Sequence, residues 1–471
     1  MQLLSERRRD GRHPAPAGCP ADGAPIRLPL RQLRADLLGT QQALVKEHDG
    51  FARYQVLRRV FTLVASADAN QQMFVLAPRN YRRGRHYDNL ALVIGRGLIC
   101  SEGADWERQR RLAQPAFDRA LMARVVEITG ALTTELLARW DQAGRRGEQV
   151  DLLDDMEELA LRVIGMALFS RDMTTDRHTA ADGTVTVTAN CFTEARRYGA
   201  AVVFRRNISP VVLPLWIPGK VNRRFRRALA GVDRFVYEQI DQRLADGGGP
   251  DDILGELIRA YGDRAPALRR DLRDQVVTLF FAGFETTAVA LAWTWLLLSQ
   301  HPEAEARFHA ELDSVLGGRA PTVEDVKSLR YTNQVIHESL RMYPPVYGMT
   351  RKAAADDLIG GHQIRRGDDL VIPIHALHHM AQYWAEPGAF CPERFTAGRL
   401  TQAQRSAYLP FSFGKRRCLG ATFATVEMLT VLAVAGQRVR LRHDPGCPVV
   451  AVPAVTQRPA GGLRMRVEAR S

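Results

Sequence analysis

Phe411-Ser412-Phe413-Gly414-Lys415-Arg416-Arg417-Cys418-Leu419-Gly420 is the stretch that decides how the rest of the chain is read. One cysteine stands between two glycines at set distances, with a basic run before it. An axial haem thiolate needs this kind of surrounding. Phe411 can wall a metal from water, and Gly414 permits a backbone turn that a Cβ would forbid. Arg416 can reach a haem propionate with a charge-assisted fork. Gly420 leaves room where the chain passes under a flat macrocycle. Loop N–H groups aimed at the sulfur would tune its electron donation. The plain alternative is an inert structural cysteine in a surface loop, which explains neither the glycines nor the arginine.

The chain around this loop has 471 residues, 46% of them hydrophobic and 25% charged, the composition of a soluble globular protein. No Pro/Gly/Ser linker divides the interior, so one large domain is expected. Sixty-five Lys plus Arg against 52 Asp plus Glu leave a formal net charge of +13. That balance favours an anionic partner, an acidic protein or a membrane surface. Six cysteines without a close pair suggest a reducing compartment rather than a disulfide framework. Met1-Gln2-Leu3-Leu4 is too short for a signal peptide, no N-terminal anchor is evident, and residues 1–28 read as a disordered basic tail. A cytoplasmic protein is expected.

Residues 31–50 read as a helix, and 60–64 and 73–76 as short strands. After an Arg-rich loop at 80–88, Gly103 opens a helix in which Trp106 and Arg110 share one face. That face can hold a propionate between an indole N–H and a guanidinium. Helical periodicity runs over 121–170, where Asp151, Asp154, Asp155, Glu157 and Glu158 complement a helix dipole more simply than they hold a metal. Segment 191–227 is apolar with Arg pairs, and Pro210 to Pro218 is too proline-rich for a continuous helix.

Residues 275–300 form a long apolar run with Ala282-Gly283-Phe284-Glu285-Thr286-Thr287 inside it. One Glu and two Thr at its centre speak against a transmembrane helix and for a buried one crossing the core. Ala282 and Gly283 leave room for a flat cofactor against the backbone. The Thr286 hydroxyl can hydrogen-bond dioxygen while Glu285 relays protons inward. Alternatively, Thr286 back-bonds to the Ala282 carbonyl and bends the helix. Glu338 and Arg341 form an i,i+3 pair ahead of Tyr343-Pro344-Pro345. Strands are expected at 357–364 and 369–374, and a hairpin at 451–468. His375, His378 and His379 lack a Cys or Glu partner at zinc-ligand spacing.

The pattern Phe-x-x-Gly-x-Arg-x-Cys-x-Gly resembles the haem-binding loop of the cytochromes P-450. Ala421 through Glu427 resemble that family's helix behind the haem. Residues 282–286 resemble its Ala-Gly-x-(Asp/Glu)-Thr motif, Trp106 with Arg110 its Trp-x-x-x-Arg helix, and Glu338 with Arg341 its Glu-x-x-Arg. The resemblance covers the chain from about residue 50 to its end. It implies a mainly α fold with a smaller β-sheet region, a triangular prism with haem b between the long central helix and the Cys-loop helix. It implies one catalytic domain over 29–471, a lid over the substrate channel at 191–227, and Arg394 as third member of a buried ion-pair network with Glu338 and Arg341. Arg351 is then a further propionate partner, and Phe280, Phe281, Phe284, Val346, Tyr347 and Met349 give a lipophilic pocket.

The reaction so implied is insertion of one oxygen atom from O2 into a lipophilic small molecule, a terpenoid, polyketide or fatty acyl skeleton. Electrons would come from NAD(P)H through external partners, an acidic ferredoxin or flavodoxin and its reductase, to a monomeric enzyme with no nucleic-acid partner. Peroxide-driven hydroxylation or O2-independent isomerisation would not need the Glu285-Thr286 pair. A non-catalytic haem protein that binds ligand would need neither that pair nor the apolar lid.

Overall fold

In the computed structural model, residues 24–179, 185–208, 215–217, 219–247 and 249–470 are described. The segment 209–214 and Pro218, inside the proline-rich stretch, lie outside them, as do residues 1–23 of the basic tail. The helix Arg269–Gln300 runs through the centre. It is apolar nearly all round, so it is stable only when enclosed. Though long and apolar enough to cross a membrane, it is largely buried inside the protein. Leu152–Phe169 packs along it, and Thr188–Ile208 pairs with Lys220–Ala245 above that layer. On the other side, Ala421–Gly436, the helix after the cysteine loop, packs on Arg119–Arg145.

A second, smaller core sits under a six-stranded sheet ordered Ile26–Arg27, Phe51–Val56, Arg59–Val64, Asp369–Ile372, Met349–Ala353, Tyr81–Arg82. Its first strand lies inside the expected disordered tail. Ile26 pairs parallel with Tyr54, Leu28 N donates to Gln55 O at 2.9 Å, and both apolar side chains pack on the sheet core. The ordered domain therefore starts earlier than residue 29.

Local details correct other expectations. Residues 31–50 form two helices, Leu30–Ala35 and Leu37–Glu47, because Asp36 accepts from Gly39 N at 2.8 Å and caps the second. Residues 73–76 are not a strand: Ser66 caps a helix over Ala67–Gln71 that runs on as one π turn, Gln72–Leu76. Met73 and Phe74 point in and Val75 and Leu76 point out, two by two, which alternation does not allow. The 357–364 segment is a hairpin of Asp357–Ile359 and His362–Ile364, turned at Gly360-Gly361, both with positive φ. The 451–468 hairpin shrinks to Ala451–Pro453 with Gln457–Pro459. Beyond it, Arg464–Ala469 pairs with Val439–Arg442 and Gln149–Asp151.

Candidate active site

Cys418 closes a tight loop between the two cores. Its N–H donates to Phe411 O at 2.8 Å, and Gly414–Arg416 make one 3-10 turn inside that closure. Gly414 has φ +62°, and a Cβ there would overlap the Phe74 carbonyl oxygen of the π turn. The loop is thus pressed against the sheet-side core, and only glycine fits. At Gly420 a Cβ would meet only Phe117 Cε1, at 4.0 Å, so protein packing does not demand that glycine. Although Cys418 is solvent-accessible, the surrounding protein is dense enough that burial raises its thiol pKa. The Gly420 N–H and the Arg110 and Arg417 cations pull the other way.

Beside the cysteine, four arginines converge from four elements. Arg416 Nη2 lies 2.9 Å from Glu102 Oε2, its Nη1 donates to Ser101 O at 3.0 Å, and its guanidinium stacks 4.0 Å over the Trp106 ring. Burial pushes the Arg416 pKa down to about 10, with Arg83 and Arg351 adding like-charge repulsion and Glu102 opposing. Arg351, on strand Met349–Ala353, is buried with Nη1 on Thr350 O and Tyr87 Oη, at 2.8 and 3.2 Å. Arg83 has Nε and Nη1 buried without a hydrogen-bond partner, and Nε lies 3.5 Å from Glu102. Arg110 Nη1 donates to Arg417 O at 2.7 Å and braces the loop. The Trp106 indole face in addition positions Arg416.

On the central helix, Thr286 Oγ1 donates to Ala282 O at 2.8 Å and Thr287 Oγ1 to Gly283 O at 3.0 Å. The first is the back-bond that the sequence allowed for Thr286, and Thr287 makes one as well. Ala282 remains half-buried. Gly283 does not open space for a cofactor: a Cβ there would meet Ile164 Cδ1 of Leu152–Phe169 at 3.0 Å, so its bareness lets two helices approach. Glu285 is buried, accepts from Thr456 Oγ1 at 2.9 Å, and lies 3.2 Å from Arg196 Nη1. Glu427, also buried, has Oε1 without a partner, and burial raises its pKa well above the carboxylate range.

Of the expected pocket residues, Phe280 and Phe284 are sealed in the core. Phe280 packs at a tilt on Phe192, with ring centroids 4.1 Å apart, and on Phe169, and Phe284 packs on Phe280 and Phe281. Phe281 keeps a partly open ring. Val346 is exposed, Tyr347 Oη donates to Ala454 O at 3.1 Å, and Met349 Sδ lies against Ser412 and Arg351 at the cysteine loop.

The cytochrome P450 family profile matches residues 19–451, which include the cysteine loop, the arginine cluster and the central helix. The chain is a cytochrome P450. It is 35% identical to cyclooctatin synthase of Streptomyces melanosporofaciens over 97% of this chain and 95% of that one. It is also 35% identical to the cyclooctat-9-en-7-ol 5-monooxygenase of the same organism, over 79% and 78%. The cytochrome P450DA heme domain superposes with a TM-score of 0.80 at 24% identity, covering 95% of this chain and 98% of that one, which shows the shared fold. Cytochromes P450 are haem-thiolate monooxygenases that take electrons from NAD(P)H through redox partners.

The side chains at the loop fit such a group. Arg83, Arg351 and Arg416 repel one another, and Glu102 is the carboxylate that Arg83 and Arg416 share. The cluster carries more positive than negative charge, so anionic propionates would complete it. The unpaired Arg83 donors ask for acceptors of that kind. Arg83 was not singled out in the sequence, because it sits in an Arg-rich loop with nothing to distinguish it from Arg82 or Arg85. The histidines have other work. His378 donates Nδ1–H to Arg341 O at 3.1 Å and accepts Leu409 N–H at Nε2 at 2.9 Å. Burial lowers His375 to about 3 and His379 to about 4, keeping both neutral.

Proposed function

We propose that this P450 monooxygenase hydroxylates or epoxidises a lipophilic carbocyclic terpenoid, with Cys418 as axial thiolate of haem b. The observation that carries the site assignment is the cluster of Arg83, Arg351 and Arg416 with unspent donors beside that thiol. Arg83, Arg351 and Arg416 hold the propionates, Trp106 steadies Arg416, Arg110 braces the loop, and Phe411 shields the sulfur. Gly414 shapes the turn, and Gly420 and Ala282 leave room on the two faces. When bound, the haem supplies reduction of O2 and transfer of one oxygen atom. Thr286 gives up its bond to Ala282 O to donate a proton at the oxygen site, and Glu285 restores that proton. Phe281, Val346 and Tyr347 wall the substrate side, while Glu338, Arg341 and Arg394 are structural.

The two relatives' names, a cyclooctat skeleton and an alkenol oxidised at one carbon, support the carbocyclic reading. An acidic ferredoxin or flavodoxin meets the face that bears Lys415 and Arg417, and the protein works as a cytoplasmic, single-domain monomer. The test is spectroscopic. Reduced wild type under carbon monoxide should show a thiolate-type Soret band, Cys418→Ala should lose it, and Cys391→Ala should keep it. A histidine-type band in folded wild type overturns the ligand assignment. Spin-state titration with cyclooctat-9-en-7-ol against a long-chain fatty acid then separates the terpenoid reading from fatty-acid hydroxylation.

A further inference from the structure

Glu157 and Arg458 have no part in the reading above, yet they complete a closed ring around Glu285. Glu157, on helix Leu152–Phe169, has Oε2 3.2 Å from Arg196 Nη2 and Oε1 2.9 Å from Arg458 Nη2. The same two guanidinium groups reach Glu285 Oε1, Arg196 Nη1 at 3.2 Å and Arg458 Nη1 at 3.9 Å. Two carboxylates and two cations alternate, each from a different element of the fold: Leu152–Phe169, Thr188–Ile208, the central helix and the strand Gln457–Pro459. Their charges cancel, which lets the ring be buried without a net ion.

The two carboxylates differ in one respect, their access to water. The Glu285 side chain is 4% exposed and fixed by Thr456, whereas Glu157 is 16% exposed. Glu157 Oε1 is itself buried and makes no hydrogen bond, despite the nearby Arg458 cation, so water reaches this side chain by its other atoms while Oε1 keeps capacity for a proton on the inner side. Burial raises the Glu157 pKa, Arg196 and Arg458 lower it, and Glu285 and Asp154 raise it further.

We propose that Glu157 is the solvent-side member of a two-carboxylate proton relay, held against Glu285 by Arg196 and Arg458. Glu157 takes a proton from hydronium, leaving water, and passes it through an intervening water to the Glu285 carboxylate, which leaves Glu157 a carboxylate again. The ring carries one extra positive charge until Glu285 gives that proton to Thr286. Both residues act through Glu285, so this inference rests on the proton-delivery role given to Glu285 and Thr286.

The experiment uses holoenzyme with a ferredoxin and reductase supplying electrons and cyclooctat-9-en-7-ol as probe. NADPH oxidation, peroxide release and the rate ratio in H2O and D2O are followed. General acid–base groups contribute roughly 10²–10⁴-fold, and a residue one step further out should cost about tenfold. Glu157→Gln should slow NADPH oxidation by that factor and enlarge the solvent isotope effect, and Glu157→Asp should restore both. If Glu157→Gln loses haem, Arg458→Gln serves in its place. Removing that cation should move the limb of the rate that needs a protonated carboxyl to higher pH. Wild-type rate and isotope effect in Glu157→Gln, or an unmoved pH profile in Arg458→Gln, overturns the relay. Thr286→Ala run in parallel separates the two claims: if it raises peroxide release while Glu157→Gln changes nothing, only this inference falls. If Thr286→Ala also changes nothing, the parent reading falls.

Discussion

Two clusters of buried arginine in this protein have opposite states of satisfaction. Arg341 spends all five N–H donors on protein: Nε and Nη2 on Glu338 at 2.7 and 2.9 Å, Nη1 on His378 O and Pro387 O, and Nη2 also on Ala389 O. Glu338 in turn accepts from Cys391 N and from Arg394 Nε. In the cluster of the cysteine loop, Arg83 leaves Nε and Nη1 without a hydrogen bond, and two guanidinium groups, Arg83 and Arg416, share Glu102. Both clusters are desolvated, and desolvated charge is costly unless paired. The difference teaches that a saturated ion network closes a fold, while one with donors left over is built for something that arrives later.

Arg341→Ala gives the largest expected effect. It strands Glu338 and several carbonyls at once, and breaking one partner from a buried pair costs about 3–5 kcal/mol. Arg341→Lys should rescue little, because three donors on one ammonium cannot replace a five-donor fork. Denaturant unfolding and the yield of folded holoprotein measure both. Stability within about 0.5 kcal/mol of wild type, the range of ordinary surface changes, would remove the structural half of the comparison.

Arg83→Ala should behave in the opposite way. In the protein itself it has only Glu102 at 3.5 Å and the Tyr87 ring to lose, so unfolding should change by about 1 kcal/mol, well short of the Arg341 loss. Hydrogen bonds to charged groups contribute about 1.5–3 kcal/mol, so haem should leave about ten- to a hundredfold faster, read by transfer to excess apomyoglobin. Lost fold stability with unchanged haem retention would mean that Arg83 belongs with Arg341.

These two clusters also mark what a sequence displays and what it hides. The cysteine loop was legible because its glycines, arginine and cysteine stand at set spacings within ten residues, although the Phe74 carbonyl that excludes a Cβ at Gly414 comes from a distant part of the chain. Glu338 and Arg341 were legible as a pair three residues apart, but their burial becomes evident only once His378, Pro387 and Ala389 fold over them. Arg83 was hidden because tertiary packing alone brings it to Glu102 and Arg416. Gly283 was misread for a related reason: helical spacing gives the face of a residue and not the neighbour, which is Ile164. Phe280 and Phe284 look like pocket walls in a motif, yet Phe169 and Phe192 enclose Phe280, and Phe280, Phe281 and the Arg196 cation cover Phe284.

A third class of cation extends the comparison to its weakest member. Lys415 and Arg417 flank Arg416 in the same loop but are exposed. They carry neither the desolvation cost of Arg341 nor the unspent donors of Arg83. Their charges act at a distance on whatever approaches the cysteine side, within a field set by the net charge of +13. Lys415→Glu with Arg417→Glu should leave fold and haem content unchanged, and should slow the first electron from an acidic ferredoxin at low salt. The difference from wild type should vanish as salt rises, because exposed charges are screened beyond about 8 Å at physiological ionic strength. Stopped-flow reduction under carbon monoxide, across a salt series, reads this directly. An unchanged low-salt rate would mean that the donor docks elsewhere and that these two cations serve solubility alone. A rate difference that persists at high salt would mean that they make close contacts, which would move them from the exposed class toward that of Arg83.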